Sequence, residues 1–447
     1  LGAILGMMSL PKLILDMFVP YYITPPLKGI FSAKSFIAMI LSVLLSSLVS
    51  FLACRKELKD MPAVTLRPPA AKNVRAGQIQ RSRFWLSLSF STQWNLRDIT
   101  RNKVRSIMGI AGVMGCALLL YTGFGCFDSV NAMVDIEYGE LMTADRKVVF
   151  TQDVPLITAR EYADRYKGQL VQESAIEIVC GAEKKTGTLT VIDTGSYMHQ
   201  KDERFNNTDF DKEGIGLTEK IAGSLGVKKG QFIRWHIRGD DKWQYTRITK
   251  IYRDPMVQGI ILSRKTYEGL EYAFSPSYFL TNMTVDDDIA TDNDDIQVAM
   301  SIADMKDSVA ETLEMMNIMI VLMVAGAIIL GLVVLYNLGV LSFVEKVREI
   351  ATLKVLGFST PKIRGILQKQ NIWLTSIGIV VGIVLGYVLL YAICQTMSDT
   401  MDLIPVVNGP TYLYTVAGTF AVSVVVNFML SAKVRTIDMV DALKGVE

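Results

Sequence analysis

The stretch EKVREIATLKVLGFSTPKI, residues 345–363, sets a compact block of charge between two long apolar runs. No residue from Met315 to Val344 is charged, and none from Asn371 to Ser398. A membrane-spanning helix needs about 20 mostly apolar residues, so both runs read as spans and the block as their connection at one membrane face. On a helical wheel Phe343, Val347, Ile350, Ala351 and Leu353 share one side, with Glu345, Arg348, Glu349 and Thr352 on the other. That pattern predicts an amphipathic helix continuing from the span before it. Gly357 offers a C-cap position, and Pro361 opens a second short helix, PKIRGILQKQ. As one helix, the apolar run before the block is about 45 Å long against a hydrocarbon core of about 30 Å, so it is expected to protrude as a stalk.

The rest of the chain fits this frame. Half of the 447 residues are apolar, and the mean hydropathy is +0.31. Such a balance predicts a membrane protein with one sizeable water-facing domain. Further spans are expected at 35–54, 106–127 and, after the helix-breaking pair Gly409-Pro410, 411–432. Residues 1–20 read as another span cut at its start. With neither Met nor charged leader at LGAILG, the chain is expected to be a fragment of a longer protein.

Charge orients the spans. Residues 55–105 hold twelve Lys/Arg and three Asp/Glu, net +9, whereas residues 128–310 hold twenty-two and thirty-one, net −9. Lys and Arg gather on the cytoplasmic side in short segments near the membrane. This places 55–105 inside and the long 128–310 segment outside. Alternation then puts 345–370 inside, 398–410 outside and the C-terminus inside. Lys346, Arg348, Lys354, Lys362, Arg364 and Lys369 against Glu345 and Glu349 agree with the inner position of 345–370. WNLRDITRNKVRS marks the inner interface before the 106–127 span, either as a plain basic flank or as an amphipathic elbow helix, with Trp85 and Trp94 as interfacial anchors.

An internal repeat runs through the chain. Gly2 and Gly6 of LGAILG correspond to Gly378 and Gly382 of SIGIVVGIVLG. A Pro-containing loop, a span and a basic stretch with Asp-Met follow in both copies, ending in KELKDMPAVTLR and in VRTIDMVDALK. Such repeats indicate pseudo-symmetric halves. The expected organisation is the end of a first unit (1–67), a cytoplasmic linker and interfacial segment (68–103), and a span (104–127). An extracytoplasmic α+β domain (128–310), a stalk and span (311–344), and a cytoplasmic coupling segment (345–370) follow. The chain closes with a span (371–397), an outer loop (398–410), a span (411–432) and a cytoplasmic tail (433–447).

Within 128–310, KVVFTQ, QLVQESAIEIVC, TGTLTVIDT and YTRITKIY are β-rich, and TAREYADRY and LTEKIAGSLGV look helical. LGVKKGQFIRWHI reads as helix, turn and strand. DDDIATDNDD, 286–295, is expected to be a solvated acidic loop; it lacks the Gly and closing Glu of an EF-hand. Gly378, Gly382 and Gly386, every four residues, give one helix a small-residue face for close packing.

Catalytic signatures are missing. The two His, His199 and His236, belong to no HExxH, and no CxxC occurs. GAEKKTGT has the glycines of a phosphate loop without the closing Lys-Ser/Thr. Four of the five Cys lie in or beside apolar runs and only Cys180 lies in the water-facing part, so no disulfide framework is implied. The absence of charge inside the central runs argues against an ion-coupled carrier.

VLYNLGVLSFVEKVREIATLKVLGFSTPKIRGIL resembles the signature of FtsX-like permeases, the membrane subunits of MacB-type ABC transporters. RDITRNKVRSIMGIAGVMG and GIVVGIVLG resemble the same family's first and third spans. The resemblance covers about 95–447, with 1–67 as the end of a preceding unit; the likeness is to the C-terminal part of a large two-unit permease. The implied fold is membrane α-helical with an extracytoplasmic α+β domain: an FtsX-like four-helix unit plus the last two spans of a preceding unit. In that family the segment between the second and third spans docks on a separate ATPase, which assigns ATPase coupling to Glu345, Arg348, Glu349, Lys354 and Gly357. The implied chain is no enzyme. It has no cofactor of its own, ATP and Mg residing on a cytoplasmic ABC ATPase dimer. Other implied partners are the missing first unit of the same chain and an extracytoplasmic protein or peptide, with no nucleic acid; the setting is the bacterial plasma membrane. The implied output is export of a peptide or lipid-linked substrate or resistance to antimicrobial peptides. The rival is a non-transporting signalling or scaffold protein that controls an extracytoplasmic partner such as a cell-wall hydrolase.

Overall fold

A computed structural model describes residues 33–57, 89–101, 103–151, 154–208, 214–286, 289–355, 357–396 and 401–434. The expected span at 1–20, residues 68–88 of the expected linker (68–103) and residues 435–447 of the expected tail (433–447) lie outside the described residues. The chain divides into two units, residues 102–342 with 370–431, and the remainder.

In the smaller unit, helix α1 (Ala33–Glu57) contains the 35–54 run, and α2 (Phe90–Arg101) is a helix of its own. Apolar side chains of α1 such as Phe36, Leu41, Leu44, Leu48 and Phe51 are more than half exposed. That composition belongs in lipid or against other apolar helices rather than in water.

The larger unit begins with α3 (Lys103–Ile136), which closes in a π-helical turn at Glu137–Leu141. It then enters a sheet domain: β1 (Arg146–Phe150), α4 (Leu156–Arg165), β2 (Gln169–Cys180), β3 (Glu183–Ile192), β4 (Gln200–Lys201), β5 (Asn207–Thr208), β6 (Ile215–Thr218) and α5 (Glu219–Leu225). Next come β7 (Phe232–Ile237), β8 (Gln244–Tyr252), β9 (Gly259–Ser263), α6 (Arg264–Gly269), β10 (Tyr278–Thr281), α7 (Ile289–Asp292) and β11 (Ile296–Ser301). Three long helices follow: α8 (Ile302–Val355), α9 (Thr360–Thr396) and α10 (Gly409–Val434).

Strand order is β11-β1-β10-β2-β3-β9-β6-β8-β7, and β7 returns to pair with β2. The twelve residues of β2 make this possible. The start of β2 pairs with β10 (Gln169 to Val171) and its far half with β7 (Ile176 to Val179), while β3 covers its other edge. Strands β2, β3, β9, β6, β8 and β7 thus close a six-stranded barrel, and β10, β1 and β11 extend it. Closure leaves those six strands without a free edge. Alternation fills the interior with Ile176, Ile178, Leu189, Val191, Ile233, Trp235 and Ile248, all 1% exposed or less. Helix α5 adds Ile221, Ala222 and Leu225 to the core and ends at Gly226, whose φ of +67° is a left-handed cap.

Among the described residues, four helical segments are long and apolar enough to cross a membrane: Ser106–Leu141, Ile320–Val340, Gln368–Thr396 and Gly409–Met429. Their outward residues, among them Val380, Val384, Leu413, Val424 and Phe428, are more than 60% exposed and apolar, as lipid requires.

Three expectations change. The helix of the first span does not end near 127: it runs on because Val130, Met133 and Val134 still have a core to bury against, formed with Leu313, Leu390 and Leu403. PKIRGILQKQ is not a separate helix, since α9 runs unbroken from Thr360 to Thr396. DDDIATDNDD is not simply a loop: residues 289–292 are helical, and Ile289 and Ile296 lie in the sheet core.

Candidate functional site

Helix α3 is the packing hub of the spans. Where its residues 110–121 meet α9, the side-chain-free face of α9 is in near-backbone contact. A Cβ added at Gly378 would lie 2.7 Å from the Val113 Cβ, one at Gly382 2.7 Å from the Ala117 Cβ and 2.8 Å from the Met114 carbonyl, and one at Gly386 2.9 Å from a ring carbon of Tyr121. Thr122 Oγ1 donates to the carbonyl of Leu118 in its own helix and reaches the Gly386 carbonyl at 3.3 Å. On other sides of α3, Gly112 and Gly123 admit side chains of α8, and Tyr121 bonds Tyr412 of α10 hydroxyl to hydroxyl at 3.1 Å. Helices α9 and α10 are joined by Thr375–Ser423, at 2.9 Å, and by the Asn371 amide donating to the Asn427 side chain. Small residues and paired hydroxyl or amide groups are what holds helices together in lipid, where apolar burial gives no preference for a partner.

At the far end of the spans the sheet domain is tied to them through a joint. The Arg253 guanidinium, just beyond β8, donates from Nε to Asp402 Oδ2 at 2.8 Å and from Nη2 to Oδ1 at 3.0 Å. The Asp402 amide donates to the Pro255 carbonyl at 3.0 Å. Asp402 belongs to the 401–408 segment before α10, so this forked pair fixes the barrel to the connection between the third and fourth spans. The Asp402 side chain is 4% exposed and that of Arg253 14%. Asp128, nine-tenths buried on α3, accepts from the backbone amide of Asn408 at 2.8 Å, the Asn408 side chain at 3.1 Å and the Thr411 hydroxyl at 2.7 Å. A carboxylate there satisfies a donor at the start of α10 and opposes the positive end of its dipole. Ser129 donates to the Val406 carbonyl, and Lys220 to the Gln395 carbonyl. Lys306–Asp135 and Lys201–Glu140 add ion pairs; the first is well exposed and counts for little.

Behind this joint sits an acidic, phenol-lined pocket. Glu137, 6% exposed, has Oε2 without a hydrogen-bond partner. Asp254 lies within side-chain hydrogen-bond reach of Glu137. Burial pushes the Asp254 carboxyl up to about 6, although the amides of Val257 and Met256 donate to it. Burial, reinforced by neighbouring carboxylates, holds the Tyr252 and Tyr278 phenols well above their ordinary range. Tyr278 donates to Glu173 at 2.8 Å, and the Lys147 ammonium lies 3.8 Å from the Tyr278 ring centre. The adjoining cavity, lined by Glu137, Met198, His199, Tyr252 and Asp254 among others, is about 20 Å³. That is room for one water rather than a substrate. Among the described residues, no group of three or more His, Cys, Asp or Glu is placed to hold a metal ion.

The two residue sets singled out by the sequence fall in different places. The three glycines line the α3–α9 seam. Glu345, Arg348, Glu349 and Lys354 lie in the last turns of α8, where the backbone is helical and the side chains are outside the described residues. Gly357 follows in an exposed turn with φ +85°, the left-handed conformation glycine tolerates. Asp128, Arg253 and Asp402 were missed: each is an ordinary charged residue beside an apolar run, and only their burial marks them.

Residues 321–439 match the family model described as FtsX-like permease C-terminal. Among solved structures, the extracellular domain of the noncanonic ABC-type transporter YknZ from Gram-positive bacteria is 10% identical, with a TM-score of 0.24, over 35% of this chain and 98% of that one. No curated protein matches the chain. Over 321–439 the chain matches the FtsX-like permease C-terminal domain, and the whole is a multi-pass membrane protein with an α+β domain between the first and second of the four spans described above.

Proposed function

We propose that this FtsX-like permease is the membrane subunit of an ABC transporter that transmits ATP-driven motion to a sheet domain outside the cell. Hydrolysis takes place on a separate cytoplasmic ATPase dimer. Residues 345–370 receive its movement, with Glu345, Arg348, Glu349 and Lys354 as the contacting polar side chains and Gly357 as the turn. The output is export of a peptide or lipid-linked substrate, or resistance to an antimicrobial peptide.

The observation that carries this reading is the joint. Helices α3 and α8 continue from the spans into the sheet domain, and Arg253–Asp402 anchors the barrel to the connection between the other two spans. A displacement among the spans therefore reaches the domain as a rigid-body change instead of dissipating in a linker. The close glycine seam also supports motion transmitted by helices over cargo passing between α3 and α9.

The test is reconstitution of the permease with its co-purifying ATPase in lipid nanodiscs. Domain movement is read as distance between spin labels on exposed Lys229 and on Lys362. ATP with Mg should shift that distance, and a hydrolysis-deficient ATPase should hold it in one state. No ATPase in the pull-down, or a distance indifferent to ATP, would end the reading.

A further inference from the structure

The β7–β8 hairpin carries a surface unlike the rest of its domain. Pairing sets Phe232 opposite Arg247 and Arg234 opposite Tyr245, so these four share one face of the barrel wall, while Ile233, Trp235 and Ile248 point into the core. The outward face keeps large aromatic surface in solvent: Phe232 is 47% exposed, Trp243 40% and Tyr245 66%. The rings are pre-arranged. Phe232 stacks on Tyr245 with centroids 4.9 Å apart, and the Arg234 guanidinium lies 4.8 Å from the Trp243 ring centre. His236, bonded to Glu177, lies 4.1 Å from the same ring.

Charge singles out the same element. Between Lys228 and Lys250 the chain has seven Lys/Arg and two Asp/Glu, net +5, inside a domain of net −9 over 128–310. Lys228, Lys229, Arg234, Arg238 and Arg247 are exposed. The patch also stands away from the membrane end of the barrel. Along β8, Tyr245 is eight residues from Arg253, about 26 Å of extended strand, and Arg253 is the residue tied to the loop between spans.

We propose that the outer face of the β7–β8 hairpin docks an acidic protein segment bearing an aromatic anchor. Exposed aromatic rings and arginines are the residue types concentrated at the centres of protein interfaces. Stacked rings give up little side-chain freedom on binding, and guanidiniums take carboxylates in forked pairs. Asp240, Asp241 and Glu177 interrupt the basic surface, which suits discrete carboxylate contacts better than a continuous polyanion track. A cationic peptide is repelled by the same charge, so this partner differs from a cationic antimicrobial cargo. The proposal does not depend on which ATPase drives the permease.

The test uses the full chain in phosphatidylcholine nanodiscs and fluorescence anisotropy of a labelled peptide, Glu-Glu-Tyr repeated four times. Lys-Lys-Tyr repeated four times and linear polyphosphate serve as comparison probes. The acidic peptide should bind, the basic one should not, and binding should weaken as salt screens the charges. Arg234→Glu with Arg247→Glu should weaken binding about tenfold, since two attractive exposed pairs become repulsive. Tyr245→Ser should weaken it several-fold with the charges intact; each variant is compared at an unchanged unfolding midpoint. Absence of acidic-peptide binding, equal binding by the double variant and Tyr245→Ser, or polyphosphate binding without peptide binding would each overturn the proposal.

Discussion

Replacing Arg253 with leucine should be among the most damaging single changes outside the spans. Arg253 makes two hydrogen bonds, 2.8 and 3.0 Å, to a carboxylate that is 4% exposed. Glu219 Oε2 lies 3.1 Å from the same guanidinium. Leucine keeps the aliphatic bulk but leaves Asp402 buried and unpaired, which costs about 3–5 kcal/mol for a broken buried pair. For a unit of this size that corresponds to roughly 6–20 °C in the unfolding midpoint. The double variant Arg253→Leu with Asp402→Leu removes both charges together and should recover most of the loss, because well-packed apolar pairs replace buried ion pairs at little cost. The assay is thermal unfolding of the purified chain in micelles for parent, both singles and the double, read as a double-mutant cycle. With the ATPase present, both singles should also uncouple hydrolysis from domain movement. A midpoint shift below about 2 °C for Arg253→Leu, or strictly additive singles, would refute the joint as an energetic link.

Gly382→Ala should destabilise the spans by about 1–3 kcal/mol through overpacking, since its Cβ meets both a side chain and a backbone carbonyl of α3; Gly365→Ala in the same helix meets nothing within 4 Å and should be neutral or slightly stabilising, both measured as unfolding midpoints. Because the folded-state Asp254 carboxyl is raised to about 6, against about 3.9 when unfolded, its contribution to stability is full below about pH 4 and fades as pH rises through about 6. Asp254→Asn should flatten that part of the midpoint-versus-pH curve, and an unchanged slope would contradict the burial of the pair. Exchanging charges with Arg348→Glu and Glu349→Lys should leave membrane insertion intact and lower co-purification of the ATPase; wild-type co-purification and coupling would return 345–363 to a solvated connection. In intact cells, a Cys at Lys229 should react with an impermeant thiol reagent and one at Lys362 should not, and the reverse pattern would invert the assigned topology.

Much of the architecture was legible because lipid and the pleated sheet impose simple periodicities. The runs at 315–344 and 371–397 are conspicuous since no other environment asks for so many uncharged residues in a row. Strands β2, β3 and β8 showed as alternating or β-branched runs. Strands β9, β10 and β11 did not, because GIILS, YFLT and IQVAMS are too short for their period to separate strand from buried helix. The α9 seam was visible in the four-residue spacing of Gly378, Gly382 and Gly386, although the partner helix was not. The charged pairs of the joint left no trace in local pattern: Arg253 and Asp402 are 149 positions apart, and Asp128 and Asn408 280. In the acidic stretch 286–295, charge density masked Ile289, which lies in the sheet core together with Ile296 just beyond the stretch.

Composition and spacing alone were sufficient for the membrane class and for the order of the four central spans and the inserted domain; the coupling role of 345–363 is implied by family resemblance. The class and the order follow from one-dimensional quantities: hydropathy over about twenty residues, charge counted along loops, and repeat distance. Closure of β7 onto β2, the meeting of Arg253 with Asp402, and the gathering of Phe232, Arg234, Tyr245 and Arg247 on one face required the folded chain. A polar residue shows its energetic weight only through what surrounds it. A carboxylate costs little in water and several kcal/mol when buried and unpaired, and which of these applies to Asp402 is set by residues far away in sequence.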